Sequence, residues 1–231
     1  MSNWFSYDGF RTDGILVERK NTLGLPVRDV EKIRVPGRNG DILIDRESYQ
    51  NVRVSYDCAA RDVAALETLR SALTHGRGYR LLTDSYHPWQ RLAMFSSALN
   101  IDELIVNRVF KFTVVFDCKP QRWHDRALNI SGTNSVIVTR PSGYRQSDPR
   151  IEITGTGNVS LRLPAGDLPL GSITSTVVID SEAMVAFRVN NNGTRTAIDL
   201  PFWPQLTAQG TNVQTVGNVT RIQIQPRWWT L

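Results

Sequence analysis

The chain has 231 residues, 41% of them hydrophobic and 21% charged, with a formal net charge of +5. That length suits one large β domain or two of ordinary size, and the balance excludes a disordered or repetitive protein. No apolar run approaches the roughly 20 residues that carry a helix across a bilayer. The first residues, Met1 to Asp8, lack the basic start and apolar core of a signal peptide, so a cytoplasmic origin is the expectation.

The positive charge is dispersed. Residues 1–123 carry 18 basic and 15 acidic side chains, net +3, and residues 124–231 carry 9 and 7, net +2. A nucleic-acid groove needs a concentrated basic stripe with interleaved aromatics, so a mixed-charge surface is the simpler reading. Cys58 and Cys118 each end a strand-like run and are expected as buried free thiols. The four Asn-x-Ser/Thr sequons, at Asn129, Asn158, Asn192 and Asn218, read as β-turn asparagines.

In chain order, strands are predicted at 14–19, 30–35, 41–46 and 51–58. The segment Val35-Pro36-Gly37-Arg38-Asn39-Gly40 forms a turn between two of them, with Pro36 presetting φ and the glycines free to take positive φ. One helix is expected at 61–75. Val63, Leu66, Leu69 and Leu73 recur at helical spacing, Asp62 lies in the first turn, and Gly76 stands at the C′ position. A single apolar stripe means packing on one face of a sheet. Strands resume at 79–83, 91–96 and 100–106, with a loop at 84–89.

From Arg108 to Asp117 the chain alternates, with Phe110, Phe112, Val114 and Phe116 on one side. This is a strand with one fully apolar face. Pro120, lacking an N–H, ends the ladder. The composition changes there, which puts a domain boundary just beyond, giving domains 1–123 and 124–231. The second is read as all β, with strands at 135–139, 150–154, 159–163, 173–179, 183–189, 194–198 and 219–225 and a hairpin tip at Asn190-Asn191-Asn192-Gly193. Short strands without a helix indicate an antiparallel sandwich. The fold class is thus mainly β: a β-rich first domain with one helix, then an antiparallel β-sandwich.

The chain offers little chemistry, and no catalytic, cofactor-binding or metal-binding residue is assigned. His75, His87 and His124 have no partner at metal-ligand spacing. No Gly-x-Ser-x-Gly elbow occurs. Asp102-Glu103 and Asp180-Ser181-Glu182 read as turn and rim charges. Gly155-Thr156-Gly157-Asn158 resembles a phosphate loop, but an alternating strand follows where a helix N-terminus is required, so a tight hairpin is the better reading. Of the six tryptophans, Trp4, Trp89, Trp123, Trp203, Trp228 and Trp229, buried ones fill cores with the indole N–H satisfied and exposed ones stack on sugars. Trp123 is expected at the joint between domains. Trp228 and Trp229, adjacent at a strand end, point to opposite faces.

Three segments together resemble the distal tail proteins of siphophages, the long, flexible-tailed bacteriophages. They are Val35-Pro36-Gly37-Arg38-Asn39-Gly40-Asp41-Ile42, then Phe110 to Pro120, then a carboxyl end with Pro201-Phe202-Trp203-Pro204, Gly217-Asn218-Val219-Thr220 and Pro226-Arg227-Trp228-Trp229 in order. Ile151 to Val159 and Ile179-Asp180-Ser181-Glu182 fit between them. At Trp229 the chain departs from the basic residue that family often carries. The resemblance implies a ring-forming first domain and a galectin-like second domain projecting outward. It implies a virion protein, made in the host cytoplasm, that forms a homo-hexameric ring, or stacked rings, at the distal end of the tail tube. Its implied partners are the tube protein and the tail-tip and receptor-binding proteins, with DNA passing transiently through the lumen; it implies no enzymatic activity and no cofactor. A dispersed positive charge suits a channel through which DNA must slide. Two other readings stand beside it. One is a carbohydrate-binding module that attaches weakly to host glycans through the second domain, and the other is a hydrolase with an unrecognised acid pair.

Overall fold

Two long antiparallel strands, Val52–Ala60 and Val109–Cys118, form the spine of the first unit. Their register sets Phe112 opposite Cys58, Val114 opposite Tyr56 and Phe116 opposite Val54, so the apolar positions of both strands fall on one face. The structure is a computed structural model and describes residues 3–12, 14–21, 24–106, 108–207 and 209–231. The chain divides into two compact units, Met1–Arg122 with Leu231, and Trp123–Thr230.

Among the described residues of the first unit, the spine belongs to an eight-stranded sheet. Ile15–Lys20 flanks Val52–Ala60, and Arg91–Phe95, Arg80–Asp84, Phe5–Tyr7 and Phe10–Arg11 follow on the other side of Val109–Cys118. Ile101–Ile105 also pairs with Val109–Cys118, beyond the end of Arg91–Phe95. The helix runs Val63–His75 and buries Leu66, Leu69 and Leu73 in the core made by the apolar sheet face. Asp62, expected in the first turn, is the N-cap, and its carboxylate accepts the Ala65 N–H at 2.7 Å. Gly76 is not the left-handed C′ residue the sequence suggests, because its φ of −85° is ordinary extended backbone. The strands end within two residues of most predicted boundaries, and Phe116 lies at the centre of the core, with the rings of Phe5, Tyr7, Tyr56 and Phe95 between 5.0 and 6.2 Å away.

The second unit is built on two strands longer than anything read from the sequence, Arg150–Leu163 and Gly210–Gln225. They pair along most of their length, but the register shifts between Thr154 and Gly155 and again between Thr156 and Ser160. One half of the pair carries Ile130–Gly132, Thr176–Asp180, Val185–Val189 and Arg195–Ala197; the other carries Ser135–Thr139 and Gly166–Ile173. Both halves bury side chains in one core, with Ile151, Ile153, Ile222 and Ile224 from the first and Leu161, Val213, Val136 and Leu168 from the second. The sandwich is therefore a single antiparallel sheet folded over at its bulges.

The fold point corrects the tight hairpin expected at Gly155-Thr156-Gly157-Asn158. These residues lie inside one continuous strand. A Cβ on Gly155 would stand 2.4 Å from the Asn218 carbonyl oxygen, and one on Gly217, whose φ is +115°, would stand 2.3 Å from that of Asn158. The glycines admit a close backbone approach where the sheet bends. Ile130–Gly132 and Gln146–Ser147 are strands where none is predicted, and two longer segments also differ from expectation. Gly166–Ile173 was absent from the sequence reading, and 173–179 is divided into the end of that strand and Thr176–Asp180.

Candidate assembly interface

The feature of the first unit that its own packing does not explain is a hairpin, Arg28–Ile33 with Ile42–Tyr49. The predicted turn joins the strands, with Gly37 and Gly40 at φ of +79° and +81° and the Arg38 N–H donating to Val35 O at 3.2 Å. Val30, Ile33, Ile42 and Ile44, with Leu43, give it the apolar, largely β-branched composition of a core strand. Yet among the described residues the two strands pair only with each other, and both outer edges are open. Ile33, Ile42, Leu43 and Ile44 are 39%, 37%, 62% and 44% exposed. The approach to the hairpin adds Leu25 and Val27, both exposed as well.

The register explains why neither face closes on a core. Ile33 stands opposite Ile42 and Glu31 opposite Ile44 on one face, while Lys32 stands opposite Leu43 and Val30 opposite Asp45 on the other. Apolar and charged residues thus share each face, and the charged ones pair across it. Arg28 donates through Nε to Asp45 at 3.1 Å, and Arg46 donates to Glu31 at 3.0 Å, which holds the Arg46 guanidinium above its ordinary pKa. Glu47 takes a left-handed φ of 54° and its N–H donates to the Asp45 carboxylate, which anchors a bend in the strand. A two-stranded hairpin without a core is marginal in water. This one is a preformed, ion-paired surface with apolar side chains left over.

A second apolar surface lies at the strand Ile101–Ile105. Among the described residues it pairs only with Val109–Cys118 and has an open outer edge, and Leu104, Ile105 and Val106 are all more than half exposed. The edge strand Ile15–Lys20 adds exposed Leu16. Sheet edges of this kind template pairing with another chain unless they are covered.

The histidines do not converge. His75 Nδ1 lies 2.9 Å from Ser71 O in the last helical turn, and His124 meets Tyr144 edge-on. His87 stacks on Trp89 at 4.0 Å. Burial, and after it the charge of Lys20, pushes His87 below the usual imidazole pKa. Nearby, Asp84 accepts from Lys20 at 2.5 Å, from the Tyr56 hydroxyl at 2.6 Å and from the backbone N–H groups of Tyr86 and His87. This buried ion pair fixes the loop at 84–89; burial with the adjacent Asp84 charge drives the Tyr56 hydroxyl far above its ordinary range. No group of three or more His, Cys, Asp or Glu side chains that could hold a metal occurs among the described residues. Among the described residues no helix is long and apolar enough to cross a membrane.

Asp180 and Glu182 are more than rim charges. Arg227 donates to Asp180 at 2.8 and 3.1 Å and to Glu182 at 3.1 Å, and Arg126 donates to Glu182 at 2.7 Å, in a largely buried network. Sequence reasoning missed it because its arginines come from the two ends of the second unit. The tryptophans divide as their positions dictate. Trp123 is buried beneath the Arg126 guanidinium, Trp228 is enclosed with no acceptor for its indole N–H among the described residues, and Trp229 faces the other way and donates to Asp148 at 2.7 Å.

No family model matches the chain, and no curated protein matches it. Solved structures do. Over the whole of both chains it is similar, at a TM-score of 0.71 and 17% identity, to the SPP1 Dit (gp 19.1) protein, described as a paradigm of the hub adsorption apparatus in phages that infect Gram-positive bacteria. It is also similar, at a TM-score of 0.52 and 9% identity over all of this chain and 98% of the other, to a chain of the phage p2 baseplate in its activated, strontium-bound conformation. The chain shares the mainly β fold of the SPP1 Dit protein.

Proposed function

We propose that the chain is a structural, non-enzymatic virion protein at the distal end of a long phage tail. Copies of the first unit close into a six-membered ring, which joins the tail tube to the tail-tip and receptor-binding proteins and leaves a lumen for DNA. The observation that carries this reading is the hairpin Arg28–Ile33/Ile42–Tyr49, a coreless apolar projection on a fold shared with a hub protein.

A ring needs two different, complementary patches on each subunit, so that the first patch of one copy meets the second of the next. The hairpin with Leu25 and Val27 supplies one, and the open edge at Ile101–Ile105 with Val106 supplies the other. The two belong to different sheets among the described residues, the hairpin pairing with itself and Ile101–Ile105 with Val109–Cys118. The chain's charge is consistent with a channel that DNA slides through, since +5 spread over 231 residues offers few places for tight phosphate contacts.

Negative-stain imaging of the purified full chain tests the proposal. The expected result is a six-fold annulus with a central hole, at high concentration or after adding the tail tube protein. Monomers under both conditions would refute it.

A further inference from the structure

The second unit carries an open sheet edge of its own among the described residues. The sheet ends at the short strand Arg195–Ala197, which pairs with Val185–Val189 and, among the described residues, with nothing on its outer side. Beside it runs a groove of about 300 Å³, lined by Met184, Val185, Ile198, Asp199, Leu200 and Trp203. Met184 is 68% exposed and Val185 is also exposed, whereas Trp203 is half-buried with its ring against the core.

The backbone pattern says which groups face outward. The Ile198 N–H donates to Ala186 O and the Asn190 N–H to Thr194 O, with Ala197 opposite Phe187 and Arg195 opposite Val189. In an antiparallel ladder the inward and outward groups alternate. The inner ladder therefore uses residues 194, 196 and 198, and the N–H and C=O of Arg195 and Ala197 point away from the sheet.

The groove wall is held rigid. The turn leading to Met184 is fixed by the Ala183 N–H donating to Asp180 at 3.2 Å and by Arg227 and Arg126 clamping Asp180 and Glu182. That clamp holds Met184 at a φ of 51°, a costly conformation for a side chain of its size. Asp199 is exposed and has no hydrogen bond or ion pair to any described residue, so it sets a single negative charge against the groove.

We propose that this edge docks an extended segment of another protein, added as a further antiparallel strand beside Arg195–Ala197. The segment places an apolar side chain in the groove against Met184, Val185 and Trp203, and a lysine or arginine against Asp199. Main-chain bonds to Arg195 and Ala197 supply register, and the groove and carboxylate supply selectivity. The apolar, one-charge lining favours a peptide over a sugar, which needs an open aromatic face and several converging polar groups. The site is confined to the second unit and stands whether or not the first forms a ring.

The test uses the full chain and two acetylated, amidated octapeptides, one alternating valine and lysine, the other alternating valine and glutamate. Residue-resolved hydrogen exchange reads the amides of Arg195 and Ala197, and fluorescence anisotropy of labelled peptide reads affinity. The lysine peptide should slow exchange at both amides, with the glutamate peptide several-fold weaker. Asp199→Asn should erase that preference. Ala197→Pro should abolish strand addition, because it removes an outward N–H while sparing the inner ladder; should that variant misfold, Asp199→Asn alone decides. Equal binding of both peptides, protection elsewhere, no protection with either up to millimolar concentration, or protection by lactose would each overturn the proposal.

Discussion

Replacing Leu43 and Ile44 together by aspartate separates an assembly surface from a folding element. In the subunit these side chains are 62% and 44% exposed, so together they leave roughly one whole aliphatic side chain in water. Covering that much apolar surface stabilises an interface by about 1.5–3 kcal/mol. Each 1.4 kcal/mol is tenfold in an association constant, so losing the contact weakens every subunit–subunit contact by roughly ten- to a hundredfold. Burying two carboxylates adds to the loss, and a closed ring repeats it at each interface. The subunit itself should scarcely notice, because surface substitutions away from a core change stability by about 0.5 kcal/mol or less. Sedimentation velocity across a concentration series, beside thermal unfolding, measures both quantities. The double variant should remain monomeric where the parent chain associates, with the same melting temperature. Unchanged association would refute the assembly role of the hairpin, and a melting temperature lowered by many degrees would show that the hairpin belongs to the subunit's own stability.

Three further outcomes follow from the packing within each unit. His87 has its folded-state pKa depressed, first by burial and then by Lys20, so its contribution to stability is complete above the unfolded value near 6.5. It is lost progressively as the pH falls through the folded value; melting temperatures from pH 8 to 5 should drop less for His87→Gln than for the parent, and parallel curves would contradict this. Burial pushes the thiols of Cys58 and Cys118 up to about 12, so neither should react with a disulfide reagent at pH 8 until guanidinium unfolds the chain, and rapid native labelling would show the core open there. Gly217→Ala places a methyl 2.3 Å from the Asn158 carbonyl oxygen at a positive φ, which should cost more than about 2 kcal/mol in denaturant unfolding. A neutral result would mean that the fold point of the sheet is slack.

Much of the first unit is legible in the sequence because its elements repeat cleanly. Phe110, Phe112, Val114 and Phe116 alternate, and Leu66, Leu69 and Leu73 recur at helical spacing; all seven are buried. The Asn190–Gly193 tip joins the two strands it was expected to join, with Gly193 at a φ of +81°. The second unit is less legible. Gly166–Ile173 contains Pro169 with Gly166, Asp167, Gly171 and Ser172, which read as loop, yet among the described residues it pairs on one side only, where a proline is tolerated. The start of Gly210–Gln225 is polar on its outward face, and only Thr211 and Val213 turn inward there, too few to mark a strand.

The candidate surfaces were hidden for a different reason. Val30, Ile33, Ile42, Leu43 and Ile44 announce two strands as clearly as any core segment, but a pattern states only that a side chain is apolar, never what it faces. The Asp180, Glu182, Arg126 and Arg227 network was equally invisible, since its members stand up to 101 positions apart, from Arg126 to Arg227.

Local chemistry in the chain determined the period of the clearly patterned elements, the helix N-cap and the turns at 35–40 and 190–193. Register and burial decided the rest. Whether glycines at 155 and 217 make a loop or a bend, whether an aliphatic strand closes on a core or stays exposed, and whether paired acids meet arginines all depend on contacts between distant segments. Such contacts form only when long loops close and sheet edges find or lack a partner, so no local pattern encodes them.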